Sequence, residues 1–258
     1  MTPKVSLWDR RIERAGELSK EHPAAAELLA FYQAIARFQK NLQEKIGPAT
    51  EHDVANLLPY FPSLITLVKQ KGSAALRTSA DELEKNTRSE WIELLNAVWQ
   101  HEPESKKLTN EQVFFANALL QPYAECLAER TVPPMNDNQV PVCPFCGSRP
   151  QVAALRPEGD GARRSLICSM CATEWNFKRV ACPNCGEENK DKLPVYIAEE
   201  LDYVRVDACD TCRTYLKSID MTKNGHAVPM VDEIATIALN LWAEENNYAK
   251  FGPNLFGV

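Results

Sequence analysis

Eight cysteines in the second half of the chain are the residues whose type and spacing are best suited to chemistry. They form four Cys-x-x-Cys pairs, namely Cys143/Cys146, Cys168/Cys171, Cys182/Cys185 and Cys209/Cys212. A Cys-x-x-Cys turn directs two thiolates towards one point, and two such turns supply the four ligands of a tetrahedral metal site. The eight cysteines therefore predict two sites, each for a single metal ion.

The pairs are expected to combine in chain order. There are 21 residues between the first and second pairs and 23 between the third and fourth, lengths that suit a β-hairpin returning one turn to the other. Only ten residues separate the second pair from the third. These lengths favour one site built from the first two pairs and another from the last two.

An internal repeat supports the same grouping. Residues 143–147 (CPFCG) match residues 182–186 (CPNCG), and in each copy the glycine can adopt the positive φ that a turn towards sulfur needs. The second pairs and the threonines that follow them also match. Short strands are expected between the pairs, at residues 164–167 and 203–206.

The ligand type limits which metal ions are expected but does not identify one. Four thiolates suit zinc or mononuclear iron equally well. An all-thiolate site has no open position for a substrate, and each small lobe has few apolar residues. A purely structural role, in which the ion makes the lobe fold, is therefore one interpretation.

The elements that position these cysteines include a helical first half. In residues 23–46 the apolar residues recur at steps of three and four, which predicts a helix that ends at Gly47-Pro48. Capping patterns at Ser79–Glu82 and Thr109–Gln112 predict two further helix starts. A bundle of about four to six helices accounts for this half.

The composition shift at the first cysteine pair divides the chain into four expected segments. They are a helical bundle (1–135), a first four-cysteine module (136–180), a second (181–222), and a C-terminal helix with a docking tail (223–258). Residues 131–142, rich in Pro and Asn, read as a linker. Three scattered histidines, His22, His52 and His101, are expected at helix caps or the surface, and Cys126 as a small buried hydrophobic residue.

Charge and hydropathy exclude several classes of protein. The chain has 29 basic and 35 acidic residues, a net charge of -6, which disfavours a general binder of nucleic acid. The sequence contains neither an apolar segment of signal-peptide type nor one long enough to span a membrane. A cytoplasmic location is expected, where metal ligation is a better default for cysteines than disulfides.

Several segments resemble the signature of the formate dehydrogenase accessory protein (FdhE) family. They are residues 143–148 (CPFCGS), 168–175 (CSMCATEW) with Arg179, 209–217 (CDTCRTYLK) and 252–256 (GPNLF). The resemblance is specific from about residue 140 onwards and rests on helix pattern alone before it. Two positions depart from the family. This chain has Leu255 where the family often has Pro, and Arg213 where Asp or Gly is common.

The resemblance implies an α+β fold, with an N-terminal helical bundle, two tandem rubredoxin-like or zinc-ribbon-like β modules and a C-terminal helix. It implies a cytoplasmic helper, not an enzyme, that matures respiratory formate dehydrogenase and binds its catalytic subunit before membrane delivery. The eight cysteines would then hold two mononuclear ions, iron by family association and zinc as the other possibility. The resemblance implies no catalytic residue for this chain.

Two other functions stay open at this point. A rubredoxin-like protein would pass single electrons through two iron centres, although rubredoxins usually have Gly where this chain has Ala172 and Arg213. A zinc-ribbon nucleic-acid binder would use the local positive charge of Arg149, Arg156, Arg163 and Arg164. The acidic surplus elsewhere makes that second alternative the weaker one.

Overall fold

The computed structural model of the chain describes residues 6–46, 53–130 and 140–257. The predicted boundary at residues 135/136 and most of the predicted linker lie outside these ranges, as do Gly47, Pro48 and His52. Within them, no helix is both long and apolar enough to cross a membrane.

The first half of the chain is helical, as predicted. Its α-helices, within the described residues, are α1 (Leu7–Glu21), α2 (Ala26–Ile46), α3 (Phe61–Lys71), α4 (Ala74–Leu83), α5 (Arg88–Trp99) and α6 (Asn110–Ala128). On α2 the apolar stripe is buried through Tyr32, Ile35 and Leu42, and this helix packs against α1 and α6. Cys126 is a buried residue of α6, as expected for a small hydrophobic side chain.

Among the described residues of this half, two capping boxes start helices, and one of them lies where the sequence indicates. At α6 the Thr109 hydroxyl accepts a hydrogen bond from the backbone amide of Gln112. The side-chain oxygen of Gln112 accepts one from the backbone amide of Thr109. The box predicted at Ser79–Glu82 is wrong, because Ser79 lies inside α4, a helix capped by Ser73. The second box is Thr87 with Glu90, eight residues further on, and it starts α5.

The two cysteine modules share a single β-sheet. Its strands are β1 (Pro150–Glu158), β2 (Gly161–Cys168), β3 (Glu174–Asn176), β4 (Val195–Ile197), β5 (Val204–Cys209), β6 (Thr214–Asp220) and β7 (Ala249–Lys250). Each module contributes an antiparallel hairpin, β1–β2 and β5–β6. The strand order is β3-β2-β1-β6-β5-β4, and β7 pairs with β6. The predicted strands at 164–167 and 203–206 correspond to β2 and β5.

A parallel pair in the middle of the sheet joins the modules. Strand β1 of the first module runs beside β6 of the second, with Ala153 opposite Ser218 and Leu155 opposite Asp220. All four of these residues belong to strands whose other edge is held by their own hairpin. The modules are thus tandem in sequence but continuous in backbone hydrogen bonding.

The C-terminal segment is helical with a break. Residues 229–245 form α7 (Pro229–Ala235) and α8 (Ile237–Glu245), separated at Thr236. The Lys217 ammonium donates to the carbonyl oxygens of Glu233 (2.5 Å) and Thr236 (3.2 Å). Because the Glu233 carbonyl would be the acceptor for residue 237 in a continuous helix, this contact explains the break.

Glu233 of α7 is the centre of a buried polar cluster. Its carboxylate is fully buried and lies 2.9 Å from the ammonium of Lys217 and 2.5 Å from that of Lys250. The side-chain amides of Asn254 (3.0 Å) and Gln151 (3.2 Å) donate to its other oxygen. These donors come from β1, β6, β7 and the tail, so one carboxylate holds the helix, the sheet and the C-terminal tail together.

The first helix is tied to the same region. The guanidinium of Arg14 in α1 binds the carboxylate of Asp232 in α7 at 2.6 Å, and the Tyr203 hydroxyl donates to that carboxylate at 2.9 Å. Arg11 pairs with Glu125 of α6 at 2.7 Å. The Arg14–Asp232 pair therefore connects the helical half to α7 through buried charges, whereas the Arg11–Glu125 pair lies within the helical half.

Candidate metal centres

The structure gathers the eight cysteines into two groups of four. Cluster 1 consists of Cys143, Cys146, Cys168 and Cys171, and cluster 2 of Cys182, Cys185, Cys209 and Cys212. Within each cluster all four sulfur atoms lie within 4.8 Å of one another. The first and second pairs meet, and so do the third and fourth, which is the grouping that the loop lengths predict.

The distances between sulfur atoms fit a metal ion rather than disulfides. In cluster 1 they include 3.4 Å between Cys146 and Cys168 and 3.5 Å between Cys143 and Cys171. In cluster 2 they include 3.6 Å and 3.7 Å. A tetrahedral site with Zn–S bonds of about 2.3 Å places its sulfurs ~3.8 Å apart. A disulfide needs about 2.05 Å, so the sulfur spacing matches a four-sulfur metal site and not a pair of disulfides.

Backbone amides of the turns point at the sulfurs. The amides of Met170 and Cys171 lie 3.3 Å and 3.4 Å from the Cys168 sulfur, and the amide of Asn184 lies 3.4 Å from that of Cys182. Such donors stabilise negative charge on sulfur. Each cluster therefore has donors for part of the negative charge that thiolates, the form that binds metal, would carry.

Matching threonines also contact the clusters. The Thr173 hydroxyl lies 3.0 Å from the Cys171 sulfur, and the Thr214 hydroxyl lies 3.1 Å from the Cys212 sulfur. The sequence repeat contains both threonines, but spacing alone gives them no role. Their equivalent positions in the structure assign them as hydrogen-bond partners of the last thiolate in each cluster.

Ionisation of the thiols differs within each cluster. Hydrogen bonds from Cys143, Cys168 and Cys171 hold the pKa of Cys146 far below its usual value, whereas burial raises the pKa of Cys168. In cluster 2, burial alone would raise the pKa of Cys212, but hydrogen bonds led by that from Thr214 outweigh it and lower the pKa to about 6. Four thiolates together need a cation, so metal binding must displace protons.

The residue after each Cys-x-x-Cys pair has a positive φ, whether or not it is glycine. Gly147 and Gly186 each have φ of 77°, as expected for the first turns. The second turns end in Ala172 and Arg213, which have φ of 53° and 56°. All four positions are therefore left-handed, and the second turns reach this φ without glycine.

Substitutions at these positions should have opposite effects. A Cβ at Gly186 would have no heavy atom within 4 Å, so Gly186→Ala should cost about 1 kcal/mol through its left-handed φ alone. Ala172→Gly should relieve the same strain, partly offset by the greater freedom of glycine in the unfolded chain. Denaturant unfolding of the metal-loaded variants measures both changes. Equal stability of Gly186→Ala and the unchanged chain would contradict the expectation.

The clusters differ in their surroundings. Cys143, Cys168 and Cys171 of cluster 1 belong to the same buried core as the helices. Side chains from the helical half also hold its turns: Gln121 donates to the carbonyl of Ser169 (2.9 Å), and the His101 ring nitrogen lies 2.7 Å from the carbonyl of Cys146. Cluster 2 lies outside that core, and its Cys185 is exposed.

His101 and Arg164 have positions that the sequence does not indicate. His101 is exposed, as expected for a surface histidine, but it also contacts cluster 1, and no sequence motif marks that contact. Arg164, considered above for nucleic-acid binding, is 3% exposed and donates to the carbonyls of Ala181 (2.9 Å) and Lys178 (3.2 Å). A strand of the first module thus anchors the loop that leads into cluster 2.

Comparisons with known proteins point to one family. The family described as "FdhE, C-terminal domain" matches residues 168–256, and "FdhE, central domain" matches residues 142–179. A "Protein FdhE homolog" of Aquifex aeolicus is 32% identical over 232 residues, which cover 87% of this chain and 80% of that protein. Another, from Haemophilus influenzae (strain PittEE), is 26% identical over 271 residues, covering 97% and 88%.

A solved structure has the same fold. The crystal structure of the FdhE protein from Pseudomonas aeruginosa is similar with a TM-score of 0.78, over 100% of this chain and 98% of that chain. The identity is 24%, so this likeness speaks for the fold. The arrangement of a helical half and a β-sheet is accordingly one that occurs in a solved protein.

Proposed function

Because the chain belongs to the FdhE family, we propose that it is a cytoplasmic accessory factor that matures respiratory formate dehydrogenase and binds the catalytic subunit of that enzyme. The observation that carries the proposal is the pair of four-sulfur clusters built into one sheet. When four protein sulfurs hold an ion, no coordination position is left for a substrate. A binding role therefore suits the clusters better than catalysis.

The proposal assigns the eight cysteines as ligands of two mononuclear metal ions, with iron as the first expectation and zinc as the second. The sulfur spacing and the amide and hydroxyl donors support it in both clusters. A bound ion would fix each pair of turns and so hold the hairpins that carry them. The four segments expected from the sequence, 1–135, 136–180, 181–222 and 223–258, remain the proposed domains.

Deletion of the gene in its native host tests the proposed role. The expected result is a loss of formate dehydrogenase activity while the catalytic subunit is still synthesised, since maturation and not expression would fail. Activity should return with the unchanged gene and not with a gene that encodes Cys143→Ser. Undiminished activity in the deletion strain would count decisively against the proposal.

Anaerobic purification tests the partner and the metal in one sample. The catalytic subunit is expected to purify with the tagged chain, and metal analysis should give two ions per chain. Recovery of the chain with two ions but without the subunit would contradict the proposed partner and leave the metal assignment intact.

Electron transfer is the second candidate, and one observation favours it. Ala172 and Arg213 have the positive φ that glycine would supply, so the absence of glycine there does not count against this function. Iron-loaded protein would then show reversible absorbance changes with mild reductant at useful rates. Absence of such changes would exclude electron transfer as the alternative to the accessory role.

A further inference from the structure

A cavity of about 260 Å³ lies beside cluster 2. Four cationic side chains line it, those of Arg164, Arg179, Lys190 and Arg205, against the one acidic side chain of Asp207. A divalent ion with four thiolates in cluster 2 would add only two negative charges. The lining therefore keeps a net positive charge, and such a lining favours an anionic ligand.

The positive groups are incompletely paired. Asp207 is shared, since it lies 2.9 Å from a guanidinium nitrogen of Arg205 and 3.5 Å from one of Arg164, and it also accepts the Ser218 hydroxyl. Among the described residues, no hydrogen-bond partner reaches the buried Nε atoms of Arg164 and Arg205 or the buried hydroxyl of Tyr215, another lining residue. Buried polar groups normally have partners, so this lining is unusual for a region with only a packing role.

The end of the sheet adjoins the cavity. In the described part of the chain β4 is the last strand, and its residue Val195 also lines the cavity. Val195 and Ile197 lie opposite Asp207 and Arg205 in the register, so all four occupy one face of the sheet. The two apolar side chains are 48% and 51% exposed. Exposed apolar groups thus flank a cationic cavity at a strand edge that can accept another strand.

We propose that this edge binds an extended acidic peptide segment of another protein. The segment adds to β4 through backbone hydrogen bonds, its apolar side chains pack beside Val195 and Ile197, and a carboxylate on the same face of the segment enters the cavity beside Arg205 and Arg179. Strand addition supplies affinity and the alternating side chains supply specificity. A carboxylate fits the planar donors of arginine, because two N–H groups meet its two oxygens.

The test uses the full-length, metal-loaded chain and a fluorescent peptide, acetyl-TVTETVT-amide, in anisotropy titrations. In a strand, its two valines and its glutamate lie on one face. The glutamate peptide is expected to bind about tenfold more tightly than the matched glutamine peptide, because the charge-assisted bonds are lost. Arg179→Glu should weaken binding about tenfold as well, while circular dichroism and metal content stay unchanged.

Arg163→Glu is the matched control, since Arg163 is exposed, carries the same charge and does not line the cavity. It should bind the peptide like the unchanged chain. Equal affinity for the two peptides, or equal loss in the two variants, would overturn the proposal. So would acetate that binds as well as the peptide, since the cavity would then hold a small free acid. The proposed peptide site does not depend on a particular client protein. If it fails, the maturation role is still tested separately by deletion of the gene.

Discussion

Replacement of Cys168 by serine is expected to remove the ion of cluster 1 and to unfold the chain well beyond that cluster. Cys168 is fully buried, and its sulfur accepts the amides of Met170 and Cys171. A structural four-ligand site contributes about 10–16 kcal/mol of apparent binding free energy. Whole domains are stable by only about 5–15 kcal/mol. Because cluster 1 shares its core with the helices, its loss should also lower the stability of the helical half.

Metal analysis and thermal unfolding followed by far-UV circular dichroism measure this effect. Cys185→Ser is the informative counterpart, since Cys185 is exposed and cluster 2 lies outside the main core. That variant should lose one ion while the helical transition stays near its original temperature. Cys126→Ser, a buried cysteine of neither cluster, controls for loss of a thiol and should retain two ions. Two ions per chain in Cys168→Ser would refute its assignment as a ligand.

Glu233→Gln is expected to destabilise the chain by about 3–5 kcal/mol, since it leaves a buried ammonium without its counter-charge. Both Glu233 and Lys217 have fully buried side chains, and Lys250 reaches the same carboxylate oxygen. The double variant Lys217→Met with Glu233→Gln should cost less than the sum of the two single changes. Denaturant unfolding of the four proteins gives the coupling free energy, and strict additivity would contradict the pairing.

The same carboxylate predicts a dependence of stability on pH. Burial alone would raise the pKa of Glu233, but Lys217 and Lys250 outweigh burial and lower it from 4.5 to about 2. A lowered acid pKa contributes stability that is present above pH 4.5 and is lost as the pH falls towards 2. The contribution is about 3 kcal/mol. Glu233→Gln should lack it, so the stability difference between the two proteins should shrink over this interval. A constant difference would show that Glu233 is not ionised in the folded chain.

Local patterns predicted the Cys-x-x-Cys turns, the helix that ends at Ile46 and the helix that starts after Thr109, because these features depend on residues close in sequence. The turn of each Cys-x-x-Cys pair and the capping box at Thr109 involve neighbours within three positions. The same locality explains the error at Ser79. A serine followed by a glutamate three residues later satisfies the capping pattern, yet Ser73 already starts a helix that runs through it.

Long-range features could not be predicted from such patterns. The parallel pairing of β1 with β6 has no signal in either strand alone, since each reads as half of its own hairpin. The burial of Arg164 depends on the loop before cluster 2 meeting a strand of the first module. Likewise, the helix breaks at Thr236 because Lys217, a residue of β6, donates hydrogen bonds to the carbonyl oxygens of Glu233 and Thr236.

The parallel junction between the modules sets an order for folding during synthesis. When the β1–β2 hairpin leaves the ribosome, the free edge of β1 has no neighbour until β6, which begins at Thr214, has also been made. An open strand edge is a template for pairing with other chains. Early loading of the first ion would order this hairpin while it waits, and a nascent chain arrested before Thr214 would be prone to aggregate.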